Sequence, residues 1–179
     1  MRKFLIATIK PWNINNANMF IEDSKEKFEV KLITKKEELN FDNINEFNPE
    51  YIFFPHWSFK IQKKIYENFD CIIFHMTDLP FGRGGSPLQN LIVRGHKDTK
   101  ISAIKAVEEM DAGPIFLKEN LKLNGTAAEI YSRLSDIIFQ KMIPKIINNE
   151  IIPTKQEGKI TEFKRRTPDQ GDLSNINTL

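Results

Sequence analysis

Two residues of this sequence stand where chemistry is usually done at the edge of a β-sheet. His75 closes the apolar run Cys71-Ile72-Ile73-Phe74 and is followed at once by a segment, Thr77 to Pro87, holding Pro80, Gly82, Gly84, Gly85 and Pro87. That position is a strand's carboxyl end beside a sharply turning loop, where parallel sheets gather ligand-binding residues. Asp111, in Asp111-Ala112-Gly113, follows a second apolar run. A carboxylate at the same sheet edge would hold the imidazole or take a proton from a reacting group, as general acid–base catalysis requires. Each residue also has a plainer reading. An aspartate near a glycine often bonds only its own turn, and a lone histidine is more often a satisfied polar residue than a catalyst. His96, in the polar turn Arg94-Gly95-His96-Lys97-Asp98, is read that way. Periodicity does not choose between these readings.

The elements that must position the pair are short apolar runs rich in branched residues, alternating with amphipathic stretches. This texture predicts an α/β fold, with a Rossmann-like, largely parallel sheet and helices on both faces. Strands are expected at Phe4–Ile9, Phe28–Thr34, Tyr51–Phe54, Cys71–His75, Ile101–Glu108 and Pro114–Leu121. Ser58–Phe69 has a helical pattern, and Pro87 can open a helix that stops at Gly95. Thr126 and Glu129 form a capping box ahead of Ile130, Leu134, Ile137 and Ile138, and Pro144 should kink or end that helix.

The chain of 179 residues reads as one domain over 1–179, with a polar C-terminal extension from about residue 154 to 179, anchored by Phe163 and Leu173. It is 40% hydrophobic and 28% charged, which excludes a wholly disordered chain. Lysine and arginine total 26 against 24 acids, a net charge of +2 that gives no argument for nucleic acid. Cys71 is the single cysteine, so an internal disulfide and a thiol-rich metal site are excluded. No run of about 18 apolar residues suggests a membrane span. Without a recognisable secretion signal, the cytoplasm is the expected location.

The segment His75-Met76-Thr77-Asp78-Leu79-Pro80-Phe81-Gly82-Arg83-Gly84-Gly85-Ser86-Pro87-Leu88-Gln89-Asn90 resembles the signature of the folate-dependent formyltransferases. Glu108-Glu109-Met110-Asp111-Ala112-Gly113-Pro114-Ile115 resembles that family's second signature, and Lys164-Arg165-Arg166-Thr167-Pro168-Asp169-Gln170 a weaker third. The resemblance implies 10-formyltetrahydrofolate as co-substrate, no metal, and an Asn-His-Asp catalytic set. His75 and Asp111 carry over. The asparagine, two residues before the histidine, does not, because Ile73 stands there. Losing one donor to a developing oxyanion typically costs about 2.7–4 kcal/mol. Asn90 is the expected replacement, one helical turn past Pro87, with Thr77, Gln89 and backbone groups of the glycine loop behind it.

By the same resemblance, the pterin would lie against Trp57 and Ser58, in His56-Trp57-Ser58-Phe59, and against Val107 and Glu108. The signature's form looks most like small sugar N-formyltransferases of the pseudaminic acid type. It implies a nucleotide-linked amino sugar as acceptor and no nucleic-acid partner, with the oligomeric state open. Lys10, Trp12 and Asn13 after the first strand, together with Arg83, would then meet the sugar nucleotide. The alternatives are a methionyl-tRNA or glycinamide ribonucleotide type of enzyme, or a non-catalytic homologue that binds folate or nucleotide.

Overall fold

The structure, a computed structural model, describes residues 1–171. Six strands form the main sheet: β1 (Arg2–Ala7), β2 (Phe28–Ile33), β3 (Tyr51–Pro55), β4 (Asp70–His75), β6 (Asp98–Lys105) and β7 (Ile115–Lys122), in the order β2-β1-β3-β4-β6-β7. The first four run parallel, while β6 lies antiparallel to both β4 and β7. A separate two-residue strand, β5 (Arg83–Gly84), pairs with β8 (Glu162–Phe163).

Side-chain alternation assigns each strand two faces, and both are buried. Phe4, Ile6, Phe53, Ile72 and Phe74 face α1 (Pro11–Ser24), α4 (Pro87–Val93) and the C-terminal helices, meeting Ala17, Leu91, Ile130 and Leu134. Leu5, Ala7, Ile52, Phe54 and Cys71 face α2 (Phe41–Phe47) and α3 (Lys63–Asn68), meeting Ile44 and Ile65. Burial on both faces is why these strands read as nearly continuous apolar runs. It also pushes the Cys71 thiol up to about 12, which leaves it inert.

Thr126 caps α5 (Ala127–Ile137) as expected, accepting from the Glu129 N–H while the Glu129 carboxylate accepts from the Thr126 N–H. Pro144 does not end the helical run. A π-helical turn, Ile138–Met142, widens the helix first, and α6 (Ile143–Asn148) continues with Pro144 in its first turn, where a missing N–H is tolerated.

Several boundaries shift by two or three residues, β1 starting at Arg2 and β6 at Asp98, and two beside the cleft have a clear cause. The helix expected over Ser58–Phe69 forms only at Lys63–Asn68, because Ile61 is drawn into the core and Phe59 lies along a cleft. The strand expected to reach Glu108 stops at Lys105, where Gly113 packs on its carbonyl. A Cβ at Gly113 would lie 1.7 Å from the Lys105 oxygen, so only glycine admits this approach. Val107 and Glu108 therefore belong to a loop.

The C-terminal stretch forms a strap across the domain. Thr154 bridges to Ile115, β8 pairs with β5, and Phe163 is buried under Phe81. Leu173, expected as a second anchor, lies outside the described residues.

Candidate active site

The β4 strand delivers His75 to the carboxyl edge of the sheet, and the following loop is fixed from below by Ser102. That hydroxyl, fully buried, donates to the Thr77 carbonyl at 2.7 Å and accepts from the Leu79 N–H at 3.4 Å. The chain then returns so that the Gly82 carbonyl lies 2.8 Å from His75 Nε2. A carbonyl can only accept, so Nε2 carries the proton and Nδ1 is the ring's free nitrogen. Nδ1 faces Asp111 Oδ2 at 3.6 Å.

Asp111 is held as deliberately. Its backbone is left-handed, with φ 54°, a conformation that a non-glycine residue adopts only when its surroundings impose it. Three contacts impose it. Oδ2 accepts from the Gly84 N–H at 2.9 Å, and the Gln156 amide donates to the carbonyls of Asp111 at 2.7 Å and Gly113 at 2.9 Å. Gly84 itself has φ 101°, and a Cβ there would lie 2.5 Å from the Phe163 carbonyl, so the strap and the glycine loop require each other.

His75 and Asp111 border a cavity of about 590 Å³. Trp57 and Ser58 line it from the loop after β3, Val107 and Glu108 from the loop after β6, and Lys10 from the start of α1. His56 and Tyr131 also line it. Desolvation of the His56 ring, reinforced by the charge of Lys10, lowers its pKa to about 4 and keeps it neutral. Desolvation raises Tyr131, partly offset by a hydrogen bond with Gln89.

Four residues expected in the site do not border the cavity. The Asn90 amide nitrogen donates to the carbonyls of Gly85, Ser86 and Lys164, and its oxygen accepts from Arg94. It braces the loop and is not free to replace a missing donor. Arg83 is buried, donating to Glu109 at 2.8 Å and through two nitrogens to Gln156 Oε1 at 3.1 and 2.9 Å, which leaves it no part in meeting a diphosphate. Trp12 stacks on Tyr131 with ring centroids 5.3 Å apart, and Asn13 is fully buried beneath His56.

Gln156 was not visible in the sequence as a site residue, since a lone glutamine in a polar stretch carries no motif. Arg165, which also lines the cavity, falls within the third resembling segment without being singled out. Among the described residues, no group of three or more histidine, cysteine or carboxylate side chains is arranged to hold a metal ion, and no helix is long and apolar enough to cross a membrane.

The fold and site define an α/β protein with a histidine–aspartate pair at the carboxyl edge of a mostly parallel sheet, opening on a deep cleft. The methionyl-tRNA formyltransferase from Clostridium thermocellum superposes on 98% of this chain with a TM-score of 0.96 and 54% identity, the match covering 78% of that chain. The chain belongs to the formyltransferase family. The methionyl-tRNA formyltransferase of Rickettsia canadensis (strain McKiel) is 26% identical over 147 residues, 79% of this chain and 48% of that protein. The chain thus spans about half the length of the first curated relatives it matches. The formyltransferase PseJ from Anoxybacillus kamchatkensis, solved with a UDP-linked formamido sugar and tetrahydrofolate, shares the fold at a TM-score of 0.72 and 18% identity, over 98% of this chain and 92% of that one. No protein-family model matches the sequence.

These relatives correct the expected acceptor. A likeness at 18% identity speaks for the fold alone, whereas the 54%-identical relative is a methionyl-tRNA enzyme. The nucleotide-linked amino sugar is therefore withdrawn, and with it the expectation of no nucleic-acid partner.

Proposed function

We propose that this chain transfers a formyl group from 10-formyltetrahydrofolate to the amine of methionyl-tRNA. The observation that carries this reading is the 54% identity, over 98% of the chain, with the methionyl-tRNA formyltransferase of Clostridium thermocellum. The cleft suits a folate carrier. Phe54, Trp57, Phe59 and Tyr66 give one side an aromatic lining for a flat ring, and Trp57, Ser58, Val107 and Glu108 are the residues we assign to the donor. Lys10, which also lines the cleft, is the cation we assign to a phosphate of the acceptor.

His75 and Asp111 are assigned the proton chemistry. The acceptor amine attacks the formyl carbon, a C–N bond forms, and the carbonyl electron pair moves to oxygen. Asp111, with His75 Nδ1 beside it, receives the proton that the attacking nitrogen loses. As the electron pair returns from oxygen, the bond between the formyl carbon and the carrier nitrogen breaks, and that nitrogen takes the proton. The products are a formamide and tetrahydrofolate, with no change of redox state. The carboxylate stabilises a proton on Nδ1, and the Gly82 carbonyl holds the ring in the orientation that allows it.

Incubation with 10-formyltetrahydrofolate and methionyl-tRNA, followed by ester hydrolysis and mass spectrometry of the released amino acid, tests the reading. N-formylmethionine is expected. Unmodified methionine beside an intact donor would reject it.

A further inference from the structure

We propose that His56 donates the hydrogen bond that stabilises the formyl oxygen as it becomes an oxyanion. The inference rests on the formyl-transfer reading above and assigns a role within it.

The need for such a donor comes from the chemistry. The oxygen gains a full charge at the tetrahedral stage, and a placed N–H is the usual means of holding it. The catalytic pair and the nearest candidates to replace the family asparagine do not supply one. The proton-bearing nitrogen of His75 is committed to Gly82, Asp111 can only accept, and Ile73, which lines the cleft one β-repeat before His75, is hydrocarbon. Asn90 is consumed by three carbonyls. Thr77 is fully buried and lies 3.3 Å from the Gly82 carbonyl, while Gln89 is exposed and does not line the cleft.

His56 meets the requirement by position, tautomer and charge. Strands β3 and β4 are paired with Pro55 opposite Phe74, so the next residues along the two strands are His56 and His75. A left-handed backbone at His56, φ 53°, turns its ring off the line of the strand, toward α1 and α5. There Asn13, fully buried, donates through Nδ2 to the Pro55 carbonyl at 3.1 Å and to His56 Nδ1 at 2.9 Å. The first of these contacts fixes which end of the amide faces the ring, because a carbonyl accepts only from the NH₂ group. Nδ1 must therefore accept, and the ring proton resides on Nε2. Nε2 has no hydrogen-bond partner among the described residues, and His56 lines the cavity together with His75. The stacked rings of Trp12 and Tyr131 pack edge-to-face with the His56 ring at centroid distances of 6.2 and 5.3 Å. With its pKa lowered to about 4, the ring stays a neutral donor across the physiological range.

The test joins kinetics with ring-nitrogen NMR on the whole protein. His56→Phe keeps a ring and removes the donor, and circular dichroism checks its fold. Single-turnover formylation is expected to fall by about 10²–10³-fold, with donor affinity changed by less than about 3-fold. Adding Ile73→Asn to His56→Phe should recover part of the loss, by returning an N–H donor to the cleft. In the unaltered protein, ¹⁵N spectra should place the His56 proton on Nε2 and shift that signal when 10-formyltetrahydrofolate is added without acceptor. A folded His56→Phe variant with unchanged turnover, or a His56 proton on Nδ1, overturns the proposal. If the unaltered protein makes no formyl product, the acceptor reading fails separately, and the spectra still decide. A donor-dependent shift at Nε2 supports the role of His56, and an unmoved signal rejects it. If the Phe variant does not fold, the same spectra decide.

Discussion

The side-chain amide of Gln156 donates to the main-chain carbonyl of Asp111 at 2.7 Å, which ties the C-terminal strap to the turn that presents the site's carboxylate. The same nitrogen reaches Gly113, and the amide oxygen accepts from Arg83. One residue thus satisfies two carbonyls and a buried guanidinium. Gln156→Ala should cost about 1–3 kcal/mol of stability by leaving these groups unpaired. By loosening Asp111 it should also lower kcat by roughly 10–10²-fold with donor KM little changed. Urea unfolding and steady-state kinetics measure both, and an unaltered kcat would separate the strap from catalysis.

At Gly113 the constraint is steric. A methyl group would meet the Lys105 carbonyl oxygen at 1.7 Å, and neither backbone can yield without breaking the bond from the Lys105 N–H to Pro114. Gly113→Ala is expected to cost more than about 3 kcal/mol or to prevent folding. A variant within about 1 kcal/mol of the parent by denaturant titration would mean that the turn is freer than described.

Much of this was legible in the sequence, and the parts that were not share a cause. The strands containing Phe4, Phe53 and Ile72 announce themselves, because burial on both faces leaves only apolar residues. The capping box at Thr126 is likewise local and readable. Gln156 and the commitment of Asn90 were not, since both are set by contacts with chain far away in sequence: Asn90 bonds to Lys164, and Gln156 to Asp111. The apolar spacing over Ser58–Phe69 imitates a helix, yet Phe59 and Ile61 serve a cleft wall and the core. The acceptor expectation was overturned by the 54%-identical methionyl-tRNA relative, because His75 and Asp111, which carry the resemblance, bear on the transfer step and not on the choice of amine.

Asn90 separates a brace from a catalyst. Its amide closes the glycine loop onto Lys164, and Asn90→Ala should therefore lower stability by about 1–3 kcal/mol. Single-turnover formylation at saturating donor, measured well below the unfolding transition, should stay within about threefold of the parent. A rate loss of about 10² with unchanged stability would return Asn90 to the site.

Acid should weaken the fold through His56. The unfolded ring titrates near 6.5, and the folded one is depressed to about 4. Between these values the unfolded chain binds the extra proton, so stability falls as pH drops from about 6.5 to about 4. The loss from this group is on the order of 3 kcal/mol. The pH dependence of unfolding in His56→Phe should be flatter over that window. Parallel curves for parent and variant would exclude His56 as the source.

The central claim is that His75 and Asp111, facing each other at 3.6 Å, carry formyl transfer. Single-turnover formation of N-formylmethionyl-tRNA by the parent, His75→Ala and Asp111→Ala proteins, at saturating 10-formyltetrahydrofolate and with folding verified, tests it most directly. Each substitution should lower the rate by roughly 10²–10⁴-fold, and the double variant should lose little more, because the two side chains act as a unit. Turnover at the parent rate in either folded single variant would contradict the account.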